Sequence, residues 1–335
     1  MNVFVFEWVT GGGWAAAPSR PPAALAREGD MMLRALLADL GRVPSVRLTT
    51  SRDPRLPALS EVRAIVPAPG EDAFALYARA ARAADAVWPI APETDGLLER
   101  LARETLGLRK ILLGCRPDAV HLAASKRATA LALQEAGVPV VPTFGERDRL
   151  APCPGRWVVK PDDGVGCEGA VLVSDWRAAA ARLAGRSGNL VAQPWIDGRA
   201  ASLSLLCRDG NARLLSANLQ HVGIVDGRPR LQGITVNAVA DREGTLSGLA
   251  RRIAAALPGL WGYVGVDLVL PDQGGALVLE INPRLTTAYC GLRRALGINT
   301  AALVLDWLRP EDGGDWATPP VGTAELVSLE AERGD

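Results

Sequence analysis

The sequence predicts a chain of class α/β and α+β, with an N-terminal doubly wound parallel-sheet domain followed by two α+β lobes. Three observations carry this reading. Strand-type and helix-type runs alternate up to residue 117, which is the pattern of a parallel sheet with crossover helices. A Gly-rich turn over residues 164–169 joins two strand-type runs, and from 200 to 284 strands are separated by the turn dipeptides Asp209-Gly210, Asp226-Gly227 and Gly274-Gly275.

The N-terminal domain, residues 1–117, opens with a buried-type strand at Val3–Phe6, a Gly loop at Thr10–Gly13 and helical periodicity over Met31–Leu40. An Ala-rich helix at 71–86, a strand at Val87–Ile90, a helix at 94–106 and a strand at Lys110–Leu113 follow, while the Pro-rich stretches at 18–22 and 52–69 read as loops. Residues 118–195 form a central lobe with a helix at 125–136, strands at 138–144, 157–160, 170–173 and 190–193, and a helix from Asp175. Residues 196–310 form the C-terminal lobe, antiparallel with an amphipathic helix near 245–257 and helices near 287–296 and 300–308. Residues 311–335 read as a peripheral tail.

Composition narrows the function classes. Hydrophobic residues make up 48% and charged residues 22%, which fits an ordinary folded protein and neither a disordered chain nor a membrane bundle. The 37 basic residues balance 37 acidic ones without a basic run, so nucleic acid is not an expected partner. No apolar run reaches the length of a membrane span, and Glu7 and Gly11–Gly13 interrupt the only signal-like stretch. Five cysteines without a C-x-x-C pair point to a reducing cytoplasm. Of the basic residues only Lys110, Lys126 and Lys160 are lysine. A lysine kept against such an arginine bias marks a place for a compact ammonium on a flexible stem, and we read Lys126 and Lys160 in that way.

Gly164, Gly166 and Gly169 satisfy G-x-G-x-x-G, but the residues after them read as a strand, whereas a dinucleotide fingerprint needs a helix there. A Gly-rich loop between antiparallel strands folds instead as a flap whose backbone N–H groups meet phosphates, with Lys160 aimed at the same phosphates. In YVGVDLVLPDQGGALVLEINPR, Glu280 and Asn282 share one face of a strand and Asp267 lies on the partner strand. Two carboxylates and an amide oxygen make an oxygen-ligand set for Mg²⁺; the alternative is a buried salt bridge to arginine, Arg284 being the nearest in sequence. Glu7, Thr10, Gly11 and Gly12 fall at a strand's C-terminal end, where open α/β sheets bind small molecules, or else form an ordinary strand-to-helix turn. Glu93 at a helix start satisfies a helix dipole. His221, beside Gln220 in a strand, is a candidate substrate contact, whereas His121 packs beside its helix. Cys167 is either an oxidisable thiolate or a small flap residue.

These motifs, in this order, resemble the ATP-grasp superfamily of carboxylate-amine ligases. The resemblance implies that Lys126 and Lys160 hold ATP phosphates under the flap glycines Gly164, Gly166 and Gly169. It implies that LVAQPWIDG is the interdomain hinge that receives adenine, with Gln193, Trp195 and Ile196 at hinge positions. Asp267, Glu280 and Asn282 then hold magnesium, two ions, with Mn²⁺ as an alternative. The sequence departs from the family at Gln193 and Ala200, where glutamates are common, which leaves Asp197 as the candidate ribose contact. Gly265 stands where some ligases carry arginine, so Arg284 is the expected catalytic cation beside Lys160. The segments FEWVTGGG, WPIAPETDGLL and SANLQ are similar to the tyramine-glutamate ligase branch, which makes the glutamyl amide of methanofuran-type, including methylofuran-type, cofactors. That similarity implies L-glutamate and tyramine, tyrosine or a related amine as substrates, with Glu7, Thr10, Gly11, Gly12, Gln220 and His221 near them. An amino-acid or dipeptide ligase of other specificity, a nucleotide-binding regulator and a dehydrogenase are the rival readings; the sequence leaves the oligomeric state open, with a homodimer as one option.

Overall fold

The computed structural model describes residues 1–17, 19–60, 62–148, 154–184, 189–308 and 321–329. The N-terminal region runs β1 (Asn2–Glu7), α1 (Trp8–Gly11), α2 (Ala23–Leu40), β2 (Arg47–Ser51), β3 (Arg63–Ile65), α3 (Ala73–Arg82), β4 (Ala86–Ile90), α4 (Leu97–Gly107) and β5 (Ile111–Leu112). Its sheet is parallel in the order β3-β2-β1-β4-β5, so the chain reverses its direction of growth between β1 and β4. Residues Val3–Phe6 are buried on both faces, as crossover helices on either side require. Phe4, Phe6 and Tyr77 pack with ring centroids 5.1–5.9 Å apart. Asp72 caps α3 by accepting from the Phe74 and Ala75 amides.

The central lobe contains α5 (Pro117–Ala124), α6 (Lys126–Glu135), β6 (Phe144–Gly145), β7 (Trp157–Pro161), β8 (Val171–Val173), α7 (Trp176–Ala184) and β9 (Leu190–Pro194), with the antiparallel sheet order β6-β9-β7-β8. The C-terminal lobe follows with β10 (Arg199–Arg208), β11 (Asn211–Val225), β12 (Arg228–Val236), α8 (Thr245–Ala256), β13 (Gly262–Leu270), β14 (Leu277–Asn282), α9 (Tyr289–Leu296), α10 (Thr300–Asp306) and β15 (Glu325–Ser328). Its six strands run in the order β14-β13-β10-β11-β12-β15.

The structure corrects four sequence expectations. Thr10 and Gly11 belong to the helical turn α1, because the Glu7 carboxylate caps it through the Val9 and Thr10 amides at 3.1 and 2.7 Å. The stretch 52–69 contains β3, held by its partner β2. The expected strand at 138–144 is strand only at its end. Val141 donates to Val278 O and Val278 to Pro139 O, so the segment covers the free edge of β14 instead of joining the central sheet. In the tail, residues 325–328 form β15 on the edge of β12, although residues 311–320 and 330–335 lie outside the described residues.

Two hydrophobic cores each join the N-terminal sheet to the C-terminal lobe, one containing Phe4, Leu76, Ile253 and Val266 and the other Val5, Leu36, Tyr289 and Val304. Asp39 on α2 reinforces that junction by accepting from Tyr289 Oη at 2.9 Å and from Arg293 Nη1 at 3.2 Å. The central lobe has its own small core of Trp157, Val159, Ala179, Leu183 and Ala192.

Burial is the largest influence on Glu7 and raises its pKa from 4.5 to about 7, against the hydrogen bonds from Thr10. The folded chain therefore holds this proton more tightly than the unfolded one. The resulting stability, about 3 kcal/mol, is complete below pH ~4.5 and is lost as pH rises through about 7. Glu7→Gln removes this titration. Urea unfolding at a series of pH values is expected to show the variant gaining on the wild type across that window, and parallel pH profiles would contradict the assignment.

Candidate active site

Both sequence-selected lysines converge on one carboxylate. Glu280, near the end of β14, accepts a hydrogen bond through Oε2 from Lys160 Nζ at 3.2 Å and lies 3.5 Å from Lys126 Nζ. All three side chains are almost wholly buried. Lys160 comes from β7, whose neighbour β9 enters the hinge, and Lys126 is the first residue of α6.

Asp162, which the sequence reading did not single out, holds the two lysines in register. Its carboxylate accepts from Ser125 Oγ at 2.6 Å and from the Arg127 amide at 2.9 Å, while Ser125 itself caps α6 through the Ala128 amide. Lys126 Nζ in turn donates to the carbonyls of Asp162 and Gly164 at 3.2 and 2.5 Å. The only signal in the sequence was an Asp two residues after Lys160, too common to read alone.

Asp267 sits opposite Glu280 in the β13–β14 register, accepting from Gln220 Nε2 at 2.8 Å and from Asn282 Nδ2 at 3.1 Å. Burial and then the Glu280 charge push the Asp267 carboxyl up. Burial also opposes ionisation of Glu280, but the Lys160 and Lys126 ammonium groups outweigh it and hold this carboxyl well below its ordinary value. Among the described residues no group of three His, Cys, Asp or Glu is placed to hold a metal. Two adjacent carboxylates and the Asn282 amide oxygen nevertheless fit a hard divalent cation such as Mg²⁺.

A cavity of about 560 Å³ opens from this charged end. Val158, Ile196, Leu219 and Val269 supply apolar wall, and Lys160, Gly166, Gln220, Asp267 and Glu280 line it as well. That combination of apolar wall and a few convergent polar groups is what a small-molecule site requires. Trp195 and Ile196 line it as the hinge reading expects. Gln193 also borders the cavity, while its side-chain amide donates to Thr143 Oγ1 at 2.9 Å. Asp197 does not border it: its exposed carboxylate accepts from Trp195 Nε1 at 2.9 Å at the hinge surface. Of the flap glycines Gly166 lines the cavity, Gly164 offers its carbonyl to Lys126, and Gly166 and Gly169 take φ of 57° and 71°, where a Cβ is disfavoured.

Arg284 pairs neither with Asp267 nor with Glu280. Its Nε donates to both oxygens of Glu93, at 3.0 and 3.2 Å, and its Nη1 to Leu285 O. The buried-salt-bridge alternative is therefore realised with lysines in place of arginine at Glu280, and Arg284 is held from the N-terminal domain. Glu7, Thr10, Gly11 and Gly12 are buried in the β1–α1 turn and do not line the cavity, because Glu7 turns back onto the amides it caps. Gln220 and His221 do line it; His221 Nε2 contacts Thr235 Oγ1 at 2.7 Å. His121 is remote, its ring bound to Glu99. Burial, with the Glu280 charge added, pushes the Cys167 thiol up to about 11, the opposite direction from that of an oxidisable thiolate.

A hairpin strand, β8, follows the glycines, as a phosphate flap demands and a dinucleotide fold forbids. The sequence model of the ATP-grasp domain matches residues 123–288, and that of the pre ATP-grasp 3 domain matches residues 46–120. The chain belongs to the ATP-grasp superfamily. This ATP-grasp protein is 30% identical over 207 residues to the tyramine--L-glutamate ligase of Methanocaldococcus jannaschii, an overlap that takes in 61% of this chain and 57% of that enzyme. The chain thus spans less than two thirds of that relative's length. Among solved structures, one from Archaeoglobus fulgidus assigned to the ATP-grasp superfamily superposes with a TM-score of 0.71 at 24% identity, covering 98% of this chain and all of that one. An L-amino acid ligase from Bacillus licheniformis gives 0.64 at 21% identity over 91% and 73% of the two chains. At these identities the structural likeness establishes the fold.

Removing the charge of Glu280 takes away the one carboxylate that, among the described residues, both buried ammonium groups contact directly. Glu280→Gln is expected to lower stability by about 3 kcal/mol. Lys160→Met in the same chain should restore part of the loss, so that the double-mutant cycle in urea shows coupling above about 1 kcal/mol. Additive effects would show that the contact carries no energy.

Proposed function

We propose that this ATP-grasp protein is an ADP-forming ligase that joins a carboxylate to an amine, with L-glutamate as acid and tyramine, tyrosine or a related phenolic amine as acceptor. The observation that carries the reading is the meeting of Lys126 and Lys160 on Glu280, with Lys160 and Glu280 lining the charged end of the cavity. Cations from one lobe and carboxylates from the other enclose the place where a triphosphate would lie. The names of the 30% and 28% identical relatives support the substrates; the similarity of FEWVTGGG, WPIAPETDGLL and SANLQ to the branch that makes methanofuran-type cofactors supports placing the product there.

On this reading the apolar walls take adenine, and the lysines exchange Glu280 for phosphate oxygens as the nucleotide enters. Asp267, Glu280 and Asn282 would hold Mg²⁺, two ions on this reading, which would supply charge to neutralise the transferring phosphoryl group. The chain's contribution is to align the substrate carboxylate with the γ-phosphorus, exclude water beneath the flap, and hold Arg284 where the acyl phosphate and the later tetrahedral oxyanion develop charge. The amine nitrogen then attacks the acyl carbon, phosphate leaves, and the nitrogen gives up its proton.

Gln220 and His221, both on the cavity wall, are the polar groups we assign to the substrate side. An amino-acid or dipeptide ligase of other specificity is the second reading, favoured by the fold shared with the L-amino acid ligase.

An ADP-release assay with glutamate, ATP and Mg²⁺ against a panel of amines tests the reading. Tyramine is expected to exceed phenethylamine by at least ten-fold in kcat/KM, because a site that hydrogen-bonds the phenol leaves a polar group unpaired with the analogue. Rapid ADP release with aliphatic amines alone would exchange this reading for the second. Lys160→Arg should raise the KM for ATP at least ten-fold, since a planar fork does not fit where a compact ammonium meets Glu280; unchanged ATP kinetics would remove Lys160 from the site.

A further inference from the structure

Glu93 lies between β4 and α4, at the carboxyl end of the parallel sheet. As the first residue before a 3-10 turn at Thr94–Gly96 it stands where an acidic side chain caps a helix, yet its carboxylate makes no capping hydrogen bond. It turns instead to the guanidinium of Arg284, 191 residues away, with both of its oxygens accepting from Nε. Both side chains are buried, and Glu93 raises the Arg284 pKa against the effect of burial. Among the described residues the hydrogen bonds of the fork use Nε and Nη1, which leaves Nη2 for another acceptor.

The next two residues reach the flap. Thr94 Oγ1 donates to Asp163 O at 3.1 Å, and the Asp95 amide donates to Asp163 Oδ2 at 3.2 Å. Asp163 directly precedes Gly164, whose carbonyl receives Lys126. Asp95 and Gly96 both take positive φ, 55° and 67°. A non-glycine residue keeps that conformation where surrounding contacts hold it. Three consecutive residues of the N-terminal domain thus fix the cation that follows the metal-ligand strand on one side, and the base of the phosphate flap on the other.

We propose that Glu93 is a positioning residue that orients Arg284 for phosphoryl transfer, and that Thr94 and Asp95 hold the flap over the nucleotide through Asp163. This rests on the ligase reading above. A buried guanidinium with its Nε end clamped presents its remaining N–H groups in one orientation, so the benefit falls on the step in which charge develops and not on ground-state nucleotide binding.

Three variants separate this from a structural role. Glu93→Gln is expected to keep the affinity for ADP within two-fold by calorimetry while kcat falls at least ten-fold with the acid and amine that the wild type uses. Glu93→Asp, which keeps the charge but withdraws it by one methylene, is expected to retain the fold and also lose kcat, and it decides the question where Glu93→Gln does not fold. Thr94→Val should instead raise the KM for ATP two- to five-fold with kcat held. Retention of kcat within two-fold in the foldable Glu93 variant overturns the positioning role, and an unchanged ATP KM in Thr94→Val removes the flap from it. Should the wild type turn over no acid and amine pair, the ligase reading fails on its own. The Arg284 Nε–H signal, assigned by its loss in Arg284→Lys, then decides the contact: loss of its exchange protection in the foldable Glu93 variant supports the clamp, and unchanged protection overturns it.

Discussion

The buried carboxylate of Glu280 is the constraint around which the molecule is arranged. A lone charge at that depth costs several kcal/mol, so it persists only where cations reach it. Both cations come from the central lobe, on α6 and β7, and the carboxylate comes from the C-terminal sheet. Their meeting fixes how the two lobes face each other and leaves the cavity between them. On the proposed reading, an entering anion and divalent cation would replace each partner that leaves its present contact with one of the same sign. Binding there exchanges ion pairs and creates no new buried charge.

The three sheets are not equally tied. The N-terminal and C-terminal sheets share two cores and the Asp39 junction, so they behave as one block. The central lobe carries only a small core of its own. Its helices α5 and α6 pack into the shared core through Ala119, Val120, Ala123 and Leu133, whereas its sheet meets the block through Lys160 on Glu280, the Leu172 amide on Gly227 O and Thr94 on Asp163 O. The ties of the central sheet are polar, and those of α5 and α6 are largely apolar.

Arginine and lysine divide the work by shape. Lys126 and Lys160 approach one carboxylate oxygen from two sides, which compact ammonium groups allow. Arg284 meets a carboxylate through Nε and keeps part of its fork unused, which a planar group allows. In a chain that uses arginine almost everywhere, the two lysines at the site were therefore conspicuous before any fold was known.

The sequence by itself determined the class of each domain, the hairpin around the glycines at 164–169 and the placement of Asp267, Glu280 and Asn282 on facing strands, because each rests on local periodicity or on a short spacing. Two residues apart on a strand means one face, and glycines between strands mean a hairpin, whatever the rest of the chain does. The sequence did not determine partners. That Arg284 binds Glu93, that Asp162 ties Ser125 to the lysine strand, that Glu7 turns onto its own helix and that residues 138–144 cover β14 all depend on which surfaces meet. Those choices compare burial, charge and hydrogen bonding among groups up to 191 residues apart, and only the folded chain brings them within reach of one another.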